Sequence, residues 1–142
     1  MKRMATFAAT LVVLAAAIYF GRSRPEPAAA PAASPADCIE RMFAAAERGD
    51  VEAYLACFTG AELRRLSAER DAEPLERFAA ALVESVRPLK GRAINGPSHA
   101  PGSERAKLEI ERIYEHHGER QSYAFRREAD GWRIDSIGPV ER

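Results

Sequence analysis

The chain has 142 residues, enough for one domain and a tail. Residues 37–142 carry 17 Lys and Arg against 20 Asp and Glu, a net charge of −3. That balance excludes the concentrated basic face that nucleic acid requires, so no nucleic-acid partner is expected.

Lys2 and Arg3 precede an apolar run over residues 4–20, interrupted only by Thr6 and Thr10 and closed by Gly21, Arg22 and Arg24. Seventeen helical residues span about 25 Å, marginal for a hydrocarbon core of about 30 Å. Two readings compete for residues 1–24: an uncleaved signal anchor and a cleaved signal peptide. Cleavage needs small residues just after the run, where Arg22, Arg24 and Pro25 stand instead, so the flanks favour the anchor. Either reading places the C-terminal part of the chain on the extracytoplasmic side: a single-pass, membrane-anchored domain, or a secreted one after cleavage. Residues 25–36, rich in proline and alanine, form an extended linker. The domain proper is expected over residues 37–142.

Ser34, Pro35 and Asp37 read as a helix start, with a capping hydroxyl, proline in the first turn and an early acid. Ile39, Met42, Phe43 and Ala46 fall on one helical face, and Gly49 stops the helix. Asp50 caps a second, short helix that turns Val51, Tyr54, Leu55 and Phe58 inward. Thr59 and Glu62 have the spacing of a capping box opening a third, with Leu63 and Leu66 inward. Its outer face, continuing to Arg77, is densely and evenly charged, the pattern of a solvated surface. Pro74 opens a fourth helix with the stripe Leu75, Phe78, Ala79, Leu82, Val83 and Val86, ended by Pro88.

Residues 92–98 read as a strand, followed by a proline and glycine turn over 97–103. Ala106, Leu108 and Ile110 alternate with charged residues, the period of a half-buried strand; the alternation slips between Glu111 and Ile113, which predicts a bulge. Gln121, Tyr123 and Phe125 mark a third strand. Asp130-Gly131 predicts a hairpin into a fourth strand carrying Trp132, Ile134 and Ile137. Helices first and antiparallel strands after is an α+β pattern.

The opening helix, the segment GDVEAYLACFT at 49–59, the long helix before the sheet and the closing DGWRIDSI at 130–137 resemble the NTF2-like superfamily over residues 34–137. The resemblance implies a cone: helices packed on a curved antiparallel sheet around a pocket. It also implies a wide choice of roles, since members include isomerases, dehydratases, transport factors and domains that only bind.

Enzymes of that superfamily often set an Asp/His or Asp/Tyr pair in the pocket. The corresponding acid and base candidates here are Asp135, Tyr114 and His116. Asp135 becomes a base only if it faces the pocket rather than solvent; His99 sits in a polar loop, and His116 and His117 flank a turn. Adjacent histidines on a strand point opposite ways, and no spaced ligand set accompanies them, so neither a metal nor a cofactor is expected. Tyr54, Tyr123, Phe125 and Trp132 are pocket-lining candidates; for Tyr123, Phe125 and Trp132, aromatic residues on neighbouring strands, the sheet core is the favoured place. Cys38 and Cys57, near the start of helix one and the end of helix two, have two outcomes open, a disulfide or two buried thiols.

Three functions are compatible with these residues. The leading one is a non-enzymatic domain, tethered to the membrane by its N-terminal helix, that binds a small apolar ligand or a protein partner. The second is an isomerase- or hydrolase-like enzyme built on Asp135 or a His/Tyr pair. The third is a structural module that forms a homodimer through its sheet.

Overall fold

The computed structural model describes residues 32–98 and 102–142. The chain divides into a unit at Met1–Ala30 and a second at Pro31–Arg142. The expected anchor or signal at 1–24, most of the linker, and His99 lie outside the described residues. Among the described residues no helix is long and apolar enough to cross a membrane.

Helix α1 (Pro35–Arg48) begins within the last residues of the stretch read as linker. Ser34, extended at φ −148°, accepts a hydrogen bond from the Asp37 amide, and Gly49 ends the helix in the left-handed region at φ 64°. That conformation suits glycine because it lacks a Cβ. Asp50 caps α2 (Val51–Leu55) by accepting from the Ala53 amide at 3.1 Å. Helix α3 (Gly60–Asp71) and helix α4 (Leu75–Val86) follow.

Strands β1 (Gly91–Ser98), β2 (Arg105–Ile113), β3 (Gly118–Glu128) and β4 (Gly131–Glu141) form one antiparallel sheet in sequential order. Together these elements are the α+β arrangement expected. The free edge of β4 is partly covered. Phe58 forms a short parallel bridge with Ile134; the Thr59 amide donates to the Ile134 carbonyl, and the Ile134 amide to the Cys57 carbonyl. One step further along, the Trp132 amide donates to the carbonyl of Ala32 at 3.1 Å.

Helix α1 lies across the sheet against β1, β2 and β4, α3 packs beside β4, and α4 packs on the other helices. The inner face of the sheet and the apolar face of α1 meet in a single core, with Ile39, Phe58, Leu108, Ile110, Phe125 and Ile134 all sealed from solvent. Each such side chain contributes about 1.5–3 kcal/mol through burial.

Three local expectations are corrected, and the hairpin signalled at Asp130 forms with its loop one residue earlier. The capping box at α3 does not form. Thr59 makes no side-chain cap; its hydroxyl donates instead to Glu128 Oε1 at 2.8 Å, while Glu62 pairs with Arg65. Pairing of residues 57–59 with β4 carries that hydroxyl towards the end of β3. Leu75 is 56% exposed rather than inward, because the first turn of α4 forms the rim of an open groove of about 520 Å³ with Gly49, Val51 and Ala79. The β3–β4 loop is Ala129–Asp130, with Gly131 already the first residue of β4 at φ 134°. The bulge at Glu111–Ile113 is absent. β2 keeps register with β1 and β3 through those residues, and the irregularities fall at Asn95/Ser98, Gln121/Tyr123 and Ala124/Phe125. The alternation does not slip: Arg112 occupies the inward position after Ile110, and Ile113 turns outward at 43% exposure.

Candidate functional site

The inner face of the sheet changes character along β2 and β3. Ala106, Leu108 and Ile110 on β2, and Phe125 and Tyr123 on β3, are buried apolar positions; Arg112 and Gln121 continue the same face. Arg112 Nη2 donates to Gln121 Oε1 at 2.5 Å, and the Tyr123 hydroxyl donates to the same oxygen at 3.3 Å. Gln121 Nε2 donates to the Gly138 carbonyl at 2.8 Å, which fixes the orientation of its amide.

Tyr54, on α2, packs against Phe58 with ring centroids 5.0 Å apart. Burial pushes its phenol up to about 12, helped by the nearby Tyr123, Cys57 and Glu62. Burial likewise raises the Tyr123 phenol, although the Arg112 guanidinium pulls against it. Both groups are therefore neutral hydrogen-bonding phenols at ordinary pH.

Among the described residues, three arginines hold a buried Nε without a hydrogen-bond partner: Arg92, Arg112 and Arg126. Arg92 lies 2.6 Å from Glu40 and 3.5 Å from Glu47, with its guanidinium 4.6 Å from the centre of the Phe43 ring. Arg126 lies 3.0 Å from Asp135 and 3.7 Å from Glu128. Arg112 has no carboxylate within 4 Å among the described residues. Its cross-strand neighbour Glu119 directs its carboxylate to Arg142 at 3.3 Å, to the Tyr114 hydroxyl at 3.4 Å and to His117 at 3.6 Å.

Of the acid and base candidates, Asp135 and His116 lie apart from this group and Tyr114 borders it. Asp135 follows the sealed Ile134 on β4 and is bound to Arg126, with Arg105 at 3.9 Å. Tyr114 is in the β2–β3 loop, its ring stacked on His117 at 4.6 Å, and burial raises its phenol. His116 is exposed in that loop. Of the pocket-lining candidates, Tyr123, Phe125 and Trp132 are buried in the core, and Tyr54 is partly buried against it. No group of three or more potential metal ligands occurs among the described residues.

Cys38 and Cys57 are adjacent buried thiols rather than a disulfide. Cys38 Sγ donates to the Cys57 carbonyl at 3.5 Å, and Cys57 Sγ to the Ala53 carbonyl at 3.4 Å. The neighbouring Cys57 thiol, with burial adding to the shift, holds Cys38 far above the usual thiol range, and the Cys38 thiol beside it lowers Cys57.

Residue type and spacing alone do not single out Arg112 and Gln121. Their signal lies in the apparent break at Glu111–Ile113: an arginine in the inward register of a strand whose preceding inward residues are all apolar.

No protein-family model matches the chain, and no curated protein does. Among solved structures, a SEC-C motif containing protein from Rhodopseudomonas palustris matches 86% of this chain and 86% of its own, at 16% identity and a TM-score of 0.52. That is a likeness of fold. A Campylobacter jejuni protein described as an NTF2-like transpeptidase matches 72% of this chain and 99% of its own, at 10% identity and a TM-score of 0.48. A Thiobacillus denitrificans protein described as a calcium/calmodulin-dependent protein kinase type II association domain matches 82% and 100%, at 16% identity and a TM-score of 0.42. Structural neighbours of this chain thus include NTF2-like proteins at low identity.

Proposed function

We propose that the chain is an NTF2-like binding domain, tethered at an extracytoplasmic membrane face by its N-terminal segment, which holds a small, largely apolar ligand at the polar end of its inner sheet face. One observation carries this reading. The group formed by Arg112, Gln121 and Tyr123, with Tyr54 and Tyr114 beside it, combines oriented hydrogen-bonding groups with apolar walls, while Asp135 and His116 do not converge on it. A few polar groups at the end of an apolar face is the usual make-up of a small-molecule site. General acid–base chemistry would require at least one titratable group free to exchange a proton beside the ligand. The phenols here are held protonated, and Asp135 is held in an ion pair.

The test is ligand-observed saturation-transfer NMR on the full-length chain in lipid nanodiscs, using a panel of small aromatic and aliphatic compounds. Saturable binding that is displaced by substitution of Tyr54 or Tyr123 supports the reading. Binding unaffected by these substitutions, or turnover of an ester or an enolisable ketone within the panel, opposes it.

A further inference from the structure

We propose that the open groove between α2 and α4 is a second binding site, for small amphiphilic amines: an arylalkyl- or alkylammonium that lays its apolar body on Leu75, Val51 and Ala79 and sets its cation between Glu52 and Glu76. This goes beyond the binding reading above and does not depend on it, because the groove shares no residue with the Arg112, Gln121 and Tyr123 group.

The groove follows from small residues where two helices meet. Gly49, at the end of α1, stands so near α4 that a Cβ there would lie 3.3 Å from Val83 Cγ2 and 3.4 Å from the Ala79 carbonyl oxygen. With glycine facing alanine, no side chain fills the space beside that contact. A groove of about 520 Å³ remains, its apolar lining made by Gly49, Val51, Leu75 and Ala79. Leu75 stands about one helical turn ahead of Ala79 and is 56% exposed, so apolar surface that the fold leaves in water is there for an occupant to cover. The volume falls within the range of small-molecule sites, which likewise join an apolar lining to a few polar groups.

The charged lining selects the occupant. It holds three carboxylates, Asp50, Glu52 and Glu76, and one guanidinium, Arg70. Arg70 is already engaged: its Nε donates to Asp71 Oδ1 at 3.0 Å. Asp50 is engaged too, accepting from the Ala53 amide at 3.1 Å with Arg48 at 3.9 Å. Among the described residues, Glu52 and Glu76 make no side-chain hydrogen bond or ion pair. Their places in the first turns of α2 and α4 suit the helix dipole, which accounts for an acid there but gives its oxygens no partner. An apolar floor with an uncommitted carboxylate on each of two walls complements a single positive charge on an apolar body. An anion of the same shape meets like charge, and a neutral one leaves both carboxylates unmatched.

The experiment is an amide-detected NMR titration of the full-length chain in lipid nanodiscs with phenethylamine, with phenethyl alcohol as its neutral counterpart and with hydrocinnamate as the anion, each referenced to empty nanodiscs. Phenethylamine is expected to shift the amides of Gly49, Val51 and Ala79. It should bind about five- to thirtyfold more tightly than the alcohol, the range that two part-exposed ion pairs provide. Glu52→Gln combined with Glu76→Gln should remove that preference, and raised salt should shrink it. Either single substitution should remove part of it, which keeps the test open if the double variant fails to fold. Equal binding of amine and alcohol, a preference that survives the double substitution, or tighter binding of hydrocinnamate overturns the assignment. Shifts confined to residues outside the groove, or silence from all three probes, overturn it too. Self-association of the chain that Leu75→Ser abolishes would give the groove to a second copy and overturn it as well.

Discussion

Gly60 and Asp135 share a space with no room for a side chain between them. A Cβ on Gly60 would stand 2.7 Å from Asp135 Oδ1 and 2.9 Å from Arg126 Nη2, and Gly60 itself sits at φ 62°. Gly60→Ala is therefore expected to destabilise the protein by about 1–3 kcal/mol, from left-handed strain and from displacement of the Asp135–Arg126 pair. Urea unfolding of the full-length chain measures it. In an Asp135→Ala background the same substitution should cost less, because part of the clash is gone. A cost unchanged in that background would show that the backbone alone sets it.

Stability should fall in strongly alkaline solution, and Tyr54 should account for part of the fall. Its folded phenol is pushed up to about 12, whereas an unfolded tyrosine ionises near its ordinary value of about 10. The native state thus holds a proton that the unfolded chain gives up. The stabilisation is fully present below pH of about 10 and is lost as pH rises from there through about 12. Chemical denaturation between pH 9 and 11.5 should give a shallower decline for Tyr54→Phe than for the parent. Parallel slopes would remove Tyr54 from the account.

Both thiols should resist alkylation in the folded protein. Cys38 is 1% exposed and Cys57 is 7% exposed. A thiol reacts as its thiolate and must be reached, and burial hinders both. Iodoacetamide at pH 8 is expected to modify neither in native conditions and both in urea, as read by intact mass. Rapid native labelling of Cys57 would mean that the segment between α2 and α3 opens readily.

Arg92 joins the sheet edge to α1 through Glu40, Glu47 and the Phe43 ring. Arg92→Met is expected to cost about 1–2 kcal/mol, with a share that persists in high salt because the ring contact is screened less than the exposed carboxylates. Loss of the whole effect at high salt would assign it to the ion pairs alone.

Features set by neighbouring residues were legible in the sequence. The Ser34 and Asp50 caps, the Gly49 stop and the alternation of Ala106, Leu108 and Ile110 all depend on residues within a turn or a strand of one another. Features set by distant residues were not. Thr59 and Glu62 spell a capping box, yet the Thr59 hydroxyl goes to Glu128, 69 residues away, because residues 57–59 join β4. Leu75 belongs to an apolar stripe by spacing, but whether the first turn of a helix reaches the core depends on where its neighbours end. The candidate site shows the same divide. Tyr54 and Tyr123 could be named from their residue types. Arg112 could not, because an arginine after three inward apolar residues reads as a break until the register of β1 and β3 shows the strand running on.

The hydrogen bond from the Trp132 amide to the carbonyl of Ala32 has a mechanical consequence. A pull on the chain ahead of Ala32 loads this contact with the edge of β4 before it reaches the first turn of α1. A short contact at a strand end gives way before the continuous ladder between β3 and β4. The segment just ahead of α1 can thus yield under tension before the sheet does, which spares the core.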